Sequence, residues 1–216
     1  MSVEEKNTIA KEMAASIATR IAEGEFQPGE RLIEKDLTHH YNVSRSPVRE
    51  ALFILENQGI IEKIPRKGVK VRDITHKEIN DLYDIVYNLT ELALKKGLEH
   101  NCDNDIEEMR LILLEMKRTV KMRNVKRCHF LVERLHFKLI QVSENKILED
   151  IYKSLNMRWT IFRYLTLSHP LSLQKSVSEY EEIVNAFELQ DIDEVMLIIR
   201  SKKQRGIIIL ENIIGG

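Results

Sequence analysis

Residues 44–55, SRSPVREALFIL, form an amphipathic pattern that decides the fold of the first third of the chain. Their apolar side chains recur at spacings of three and four, which marks one buried face of a helix. These apolar residues are Val48, Ala51, Leu52 and Leu55. Either Ser44 or Ser46 can cap the helix at its start. Burial of the apolar face leaves Arg45 and Arg49 outward, near the N-terminal end.

Shorter elements surround this helix along the chain. Apolar residues spaced four apart predict a helix over residues 9–22, and a second, short helix that includes Leu32 is expected to end near Tyr41. Two strands, 60–64 and 69–71, follow as a small hairpin. This order predicts a winged helix-turn-helix, in which the third helix reads the major groove of DNA from its N-terminal end.

A local excess of positive charge accompanies this pattern, although the net charge of the whole chain is only −1. Between residues 44 and 72 there are seven Lys or Arg and three acidic residues, an excess of four. The basic residues are at positions 45, 49, 63, 66, 67, 70 and 72. Arginine can bond two acceptors of guanine at once, and basic residues at a hairpin tip suit phosphate. The alternative is that these charges only keep a helix face and a strand edge soluble.

Length and composition bound the class of protein. With 216 residues, 43% of them hydrophobic and 31% charged, the chain is a soluble globular protein long enough for two small domains. Its two cysteines, Cys102 and Cys128, cannot form a disulfide framework, which favours a reducing compartment. The longest apolar run, 207–214, is too short to span a bilayer. A cytoplasmic protein without a membrane partner is therefore expected.

Helix breakers become rare after the first third of the chain. No glycine lies between Gly97 and Gly206, and Pro170 is the only proline there, so long helices are expected. Six are predicted: 76–99, 103–123, 125–142, 145–168, 172–189 and 191–213. The expected fold class is mainly α, with an N-terminal winged helix-turn-helix at 1–75 and a C-terminal all-helical bundle at 76–216.

The segment from Ile21 to Val71 resembles the DNA-binding domain of GntR-family bacterial transcription regulators. Its matching motifs are Gly24, Pro28-Gly29 and Leu32, then VSRSPVREAL at 43–52, and finally Gly59 with Arg66-Lys67-Gly68. The resemblance implies DNA contacts at Lys35, Ser44, Arg45, Ser46, Arg49, Arg66, Lys67 and Gly68. It also makes Glu50 a structural residue, in an ion pair with Arg49 or Lys35. Gly68 additionally suits a tight turn that needs a positive φ.

The six-helix part resembles the FCD effector domain of the FadR subfamily, in its shorter, VanR-type form. The resemblance rests on helix count, on Leu135-His136 with Ser143-x-Asn145, and on Glu179 with Ala186 and Asp191. Many such domains bind a metal through an aspartate, a histidine one turn later and two further histidines. Here the four positions hold Val132, His136, Tyr180 and Lys202, so no metal and no cofactor is expected. Glu133, one residue out of register, is the alternative ligand.

The substitutions at these positions suggest an effector site. Lys202 carries a positive charge to the place of the metal, so His136, Tyr180 and Lys202 could clamp a carboxylate or phosphate directly. The alternative is that Lys202 extends to solvent, Tyr180 only packs, and His136 is a hydrogen-bonded core residue. Arg158, Trp159 and Arg163 are weaker candidates for pocket residues.

The predicted function is a ligand-responsive, sequence-specific regulator, with repression favoured, that binds a palindromic double-stranded operator as a homodimer. The expected partners are DNA, a second copy of the chain and a small-molecule effector, for which an anion is one candidate. One alternative is a DNA-binding regulator without effector response. Another is an enzyme in the helical bundle, although no catalytic motif is found and acids and histidines lack the spacing of a bundle metal site.

Overall fold

A computed structural model describes residues 3–100, 102–170 and 172–215, with side chains from Thr8 onward. The chain divides into two compact units. The first extends to Ile74 and includes Leu155–Phe162. The second consists of Thr75–Ser154 and of the chain from Arg163 onward.

Up to Ile74, the described residues of the first unit combine three helices with a small antiparallel sheet. The helices are α1 (Val3–Ala22), α2 (Glu34–Tyr41) and α3 (Arg45–Asn57). The strands are β1 (Arg31–Leu32), β2 (Ile61–Ile64) and β3 (Gly68–Val71), in the order β1-β3-β2. The placement of Leu32 in the second helix is wrong, because Leu32 pairs with Val69 in the sheet. Helix, helix, helix and hairpin confirm the winged helix-turn-helix.

Helix α3 buries the predicted stripe. Val48, Ala51 and Leu55 are fully buried and pack toward α1, whose Ala14 and Ile17 are also fully buried. Gln58 is the C-cap residue of the helix, and Gly59 follows with a φ of 64°. This conformation favours glycine, which explains why the helix stops there.

The turn between β2 and β3 also depends on left-handed backbone. Gly68 has a φ of 90°, as predicted, and Arg66 has a φ of 63°. The amide of Lys67 donates to the carbonyl of Ile64 over 3.0 Å and closes the turn. A Cβ atom at Gly68 would meet no heavy atom within 4 Å, so the need for glycine comes from the backbone and not from crowding. The hairpin tip therefore presents Arg66 and Lys67 in a defined turn.

After Ile74, the described residues form six helices, and each begins and ends within two residues of its predicted bounds. They are α4 (His76–Gly97), α5 (Asp103–Lys121), α6 (Val125–Gln141), α7 (Lys146–Ser168), α8 (Ser172–Glu188) and α9 (Ile192–Gly215). Helix α4 packs on α9, α9 on α8, α8 on α5, α5 on α6 and α6 on α4, which closes a ring. None of the described helices is long and apolar enough to cross a membrane.

The interior of this ring is unusually polar. Thr90, His136, Glu179 and Lys202 are all at most 5% exposed, among leucine, valine and tyrosine side chains. Both cysteines are buried free thiols. Since buried polar groups are costly unless they are hydrogen-bonded, the partners of these four side chains determine what the unit can do.

Candidate functional site

The outward face of α3 carries the predicted recognition residues. Arg45, Ser46 and Arg49 are exposed. Ser44 is the N-cap residue, and its side chain makes no capping hydrogen bond. Its hydroxyl is therefore not used by the first amides of the helix. Phe53, one turn after Arg49, is 57% exposed on this face. No role was predicted for Phe53, although its i, i+4 spacing from Arg49 was a signal.

Arg49 is held by a residue of the preceding helix. Its Nε atom donates to Oε2 of Glu34 over 3.0 Å. The proposed ion pair of Glu50 with Arg49 is thus replaced by one with Glu34, fifteen residues away in sequence. Because only Nε is engaged in this bond, the two terminal nitrogens of the guanidinium keep their donors for other acceptors. Two such donors match the two acceptors on the major-groove edge of guanine.

Acidic neighbours neutralise some cations of this unit and not others. Nζ of Lys63 lies 2.5 Å from Glu56, and Nζ of Lys70 lies 2.8 Å from Glu62. Among the described residues, no ion pair is formed by Arg45, Arg66 or Lys67, all of which are exposed. Lys35, on α2, is exposed as well. The start of α3 and the hairpin tip therefore both carry exposed positive charge that no acid among the described residues pairs with.

In the second unit, His136 is fixed by two hydrogen bonds. Its Nε2 atom lies 3.0 Å from Oγ1 of Thr90, and its Nδ1 atom lies 2.9 Å from the hydroxyl of Tyr180. The Thr90 hydroxyl already donates to the carbonyl of Val86, so Nε2 of His136 donates to Thr90 and Nδ1 accepts from Tyr180. Burial, helped by the charges of Arg163 and Lys202, holds the pKa of His136 well below its usual value. The imidazole is therefore neutral.

Lys202 is directed into the bundle. The side chain is 6% exposed, and Nζ donates to Oε2 of Glu179 over 2.9 Å and to Oγ of Ser176 over 2.8 Å. The ammonium also lies 4.1 Å from the ring centre of Tyr180. Burial lowers the pKa of Lys202 to about 8, although Glu179 opposes that shift. The alternative in which Lys202 extends to solvent is wrong, and the structure brings His136, Tyr180 and Lys202 together.

Glu179 is the buried counter-ion of this cluster. It is 3% exposed and accepts from Arg205 through Nε over 2.7 Å and through Nη2 over 2.6 Å, in addition to its bond with Lys202. Burial alone would raise the pKa of Glu179, but Lys202 and Arg205 outweigh it and hold the pKa below its usual value. From the sequence, Glu179 could be recognised only as a motif residue, because its partners lie 23 and 26 residues away.

Arg163 of α7 is a second buried cation beside Lys202, in addition to the half-buried Arg205. It is 5% exposed, and Nη2 donates to the hydroxyl of Tyr152 over 2.9 Å. Nη1 lies 3.8 Å from Glu133. Counting Arg163, Lys202 and Arg205 against Glu179 and Glu133 leaves one positive charge in excess while Lys202 is protonated. The sequence could not separate Arg163 from an ordinary rim residue, since an amphipathic helix carries arginines at either place.

These residues do not fit a divalent metal. Both nitrogens of His136 are already in hydrogen bonds, and Val132, one turn earlier and 1% exposed, offers only methyl groups. The ammonium of Lys202 would repel a cation placed there. Glu133, the alternative ligand, lies beside His129 and Arg163. Within the described residues, no group of three His, Cys, Asp or Glu side chains could hold a metal ion.

Comparison with known proteins gives two family matches. The family model described as bacterial regulatory proteins, gntR family, matches residues 9–71, and the FCD domain model matches residues 81–201. The HTH-type transcriptional regulator YdhC of Bacillus subtilis is 29% identical over 140 residues, or 63% of this chain and 61% of that protein, which is less than two thirds of its length. The gluconate operon transcriptional repressor of Bacillus licheniformis is 27% identical over 177 residues, or 82% and 72% of the two chains. The solved structure of E. coli McbR/YncC shares the fold, with a TM-score of 0.80, 20% identity, and coverage of 94% of this chain and 97% of that one.

Proposed function

Because the chain belongs to the GntR family of bacterial regulatory proteins and carries an FCD domain, it is a DNA-binding transcriptional regulator, and we propose that it is a ligand-responsive repressor. Residues 1–75 are its DNA-binding domain, and residues 76–216 bind the effector and the second subunit. It acts in the cytoplasm, where the bacterial operator is, and has no catalytic role. Repression is supported by the relative from Bacillus licheniformis, described as an operon repressor.

One observation carries the DNA-binding assignment: Arg45 at the start of α3, and Arg66 and Lys67 at the hairpin tip, are exposed cations without an ion pair among the described residues. Arg45 and Arg49 read base edges, with Glu34 holding the Arg49 side chain. Arg66 and Lys67 bind phosphates at the wing, on a turn that Gly68 makes possible. Lys35, Ser44 and Ser46 supply the remaining contacts to the DNA backbone or bases.

A homodimer on a palindromic operator follows from the small size of the DNA-binding domain. One recognition helix contacts few base pairs, so two half-sites are needed for specificity, and two-fold symmetry of the protein matches a palindrome. The effector then shifts the population between two arrangements of the two DNA-binding domains, which changes the half-site spacing that the dimer fits.

The effector we propose is an anion that binds at His136, Tyr180 and Lys202. The excess positive charge of the buried cluster supports this class, because an added carboxylate or phosphate would balance it. His136 and Tyr180 are bonded to each other, and Lys202 is bonded to Glu179. A ligand must therefore exchange these bonds for its own, which makes binding dependent on a rearrangement of the cluster.

Selection of bound fragments from random DNA, followed by binding assays on the selected site, tests the DNA-binding assignment. Replacing Arg45 with alanine should cost about 1–3 kcal/mol and relax the preference at one position of each half-site. Glu99→Ala, an exposed substitution in the helical bundle, is the control and should leave the affinity unchanged. Unchanged affinity of the Arg45 variant would show that α3 does not read the operator.

A thermal-shift screen of small carboxylates and phosphates tests the effector. A ligand at one hundred times its Kd should stabilise the protein by about 2.7 kcal/mol. Lys202→Met should abolish that shift without abolishing operator binding in the absence of ligand. If no anion stabilises the protein, a regulator without effector response becomes the better description.

A further inference from the structure

Helix α5 presents an outward row of side chains that no described element covers. Leu111 is 63% exposed and Leu114 is 51% exposed. Together with Glu107 and Arg118, both exposed, they occur at spacings of four, three and four residues along one face. We name these four residues the α5 stripe. Such alternation is the pattern of a seam through which one helix packs against another.

The surroundings of the α5 stripe leave its two charges available. On one side Arg127 of α6 bonds Glu115, and on the other Lys117 bonds Glu181 of α8. Within the described residues, Glu107 and Arg118 form no ion pair. The stripe is thus an apolar centre with an acid at its N-terminal end and a base at its C-terminal end.

We propose that the α5 stripe is the contact through which two copies of this chain form the dimer, with their α5 helices antiparallel. A two-fold axis between Ile112 and Leu113 places Leu111 of each copy against Leu114 of the other. The same symmetry places Glu107 against Arg118 of the second copy, twice per dimer. Parallel helices would oppose like charges at both ends, so the charge pattern selects the antiparallel arrangement. The inference rests on the homodimer of the proposed function.

Helix α4 offers one rival face for a second copy. Helix α4 exposes Ile85 (47%) and Leu92 (45%), less than the leucines of α5. Its acidic residues already have partners within the chain: Asp81 with Lys77, Asp84 with Lys203 and Glu91 with Arg200. The α4 face therefore has less apolar area and fewer available charges to offer a second copy.

A charge exchange tests the register directly, with sedimentation equilibrium of the full chain as the readout. Glu107→Arg and Arg118→Glu should each raise the dimer Kd at least about tenfold, a change of about 1.4 kcal/mol. The double variant E107R/R118E should return the Kd to within about twofold of the original, because each reversed charge again meets its opposite. Single variants that leave the Kd unchanged, or a double variant as weak as the singles, would overturn the proposed register.

Two apolar substitutions separate the α5 stripe from its rival. Leu111→Asp should raise the dimer Kd at least about tenfold, while Ile85→Asp on α4 should change it less than about twofold. Both side chains are exposed, and circular dichroism checks that the helices are intact. Dissociation by the Ile85 variant alone would refute the α5 contact and leave the DNA-binding homodimer standing. An original chain that stays monomeric at tens of micromolar would refute the homodimer itself and this contact with it.

Discussion

Glu179→Gln removes the negative charge that Lys202 and Arg205 share, while it keeps the size of the side chain. In the native protein the carboxylate accepts one bond from Lys202 and two from Arg205. Removing one partner of a buried pair is costly because the other charge is left without compensation. The loss of folding free energy is limited here, because Lys202 can lose its proton and Arg205 can turn partly to water.

Lys202 can respond by losing its proton. Its pKa is about 8 with Glu179 in place, so at pH 7 a neutral lysine costs only about one further pKa unit, or between about 1 and 2 kcal/mol. Arg205 cannot lose its proton, but the amide oxygen of the glutamine can still accept one of its two hydrogen bonds, so one charged bond, worth about 1.5–3 kcal/mol, is lost. The Arg205 side chain is 23% exposed and can turn partly to water, which favours the lower value. The sum is about 2.5–3.5 kcal/mol.

Urea unfolding of four chains measures this cost. The original, Glu179→Gln, Lys202→Met and the double variant are compared at pH 7, with exposed Glu99→Gln as the matched control. The expected loss of about 2.5–3.5 kcal/mol corresponds to a Tm lower by roughly 5–14 °C. The double variant should be more stable than Glu179→Gln alone, because methionine needs no counter-ion. A loss below about 1 kcal/mol, or losses that add within about 0.5 kcal/mol, would refute this account of the cluster.

Four further measurements test the hairpin tip, the ion pair of Arg49 with Glu34, the stability at low pH and the expected absence of a bound metal. Lys67→Ala should weaken binding to every DNA sequence and reduce the slope of log K against log salt by about 1; an unchanged slope would contradict the phosphate contact. Glu34→Gln removes the ion pair that positions Arg49 and should reduce discrimination between operator and scrambled duplex by up to about 1 kcal/mol. Unchanged discrimination would show that this ion pair does not position Arg49. The pKa of Glu179 is lowered on folding, so its contribution to stability is present above the unfolded value and is lost as pH falls below about 4.5; acid titration of Glu179→Gln should lack that loss. Dialysis against a chelator should leave Tm unchanged, whereas a fall would indicate a structural metal.

Local signals made much of the fold predictable. The buried stripe of α3 follows from spacing within thirteen residues. The bounds of the six later helices follow from breakers and from caps such as Asn145, whose side chain accepts from the amide of Leu148. A positive φ at Gly68 was expected for the same reason, since the demand of a tight turn on its residues is local.

Pairings between distant residues were beyond the sequence. Strand β1 has only two residues and exists because Leu32 meets Val69, so no alternation announces it. The hydrogen bond between Arg49 and Glu34 joins two different helices. Nothing in the sequence favoured Glu34 over Glu50, the acid next to Arg49, as the partner. Convergence of His136, Tyr180 and Lys202 could be hypothesised from family positions, but the buried Glu179 that balances Lys202 could not.

The hydrogen bond between His136 and Tyr180 has a consequence for ligand selectivity. The imidazole accepts at Nδ1 and the phenol donates, so separating the two exposes one acceptor and one donor away from water. A ligand that separates these two side chains but offers no hydrogen-bond donor would leave Nδ1 of His136 without a partner, at a penalty of about 1–3 kcal/mol. Close analogues would thus be rejected for a missing hydrogen more sharply than for a missing methylene. The effector proposed above must therefore be an anion that also carries a hydrogen-bond donor, so that its negative group meets Lys202 while its donor replaces the tyrosine at Nδ1 of His136.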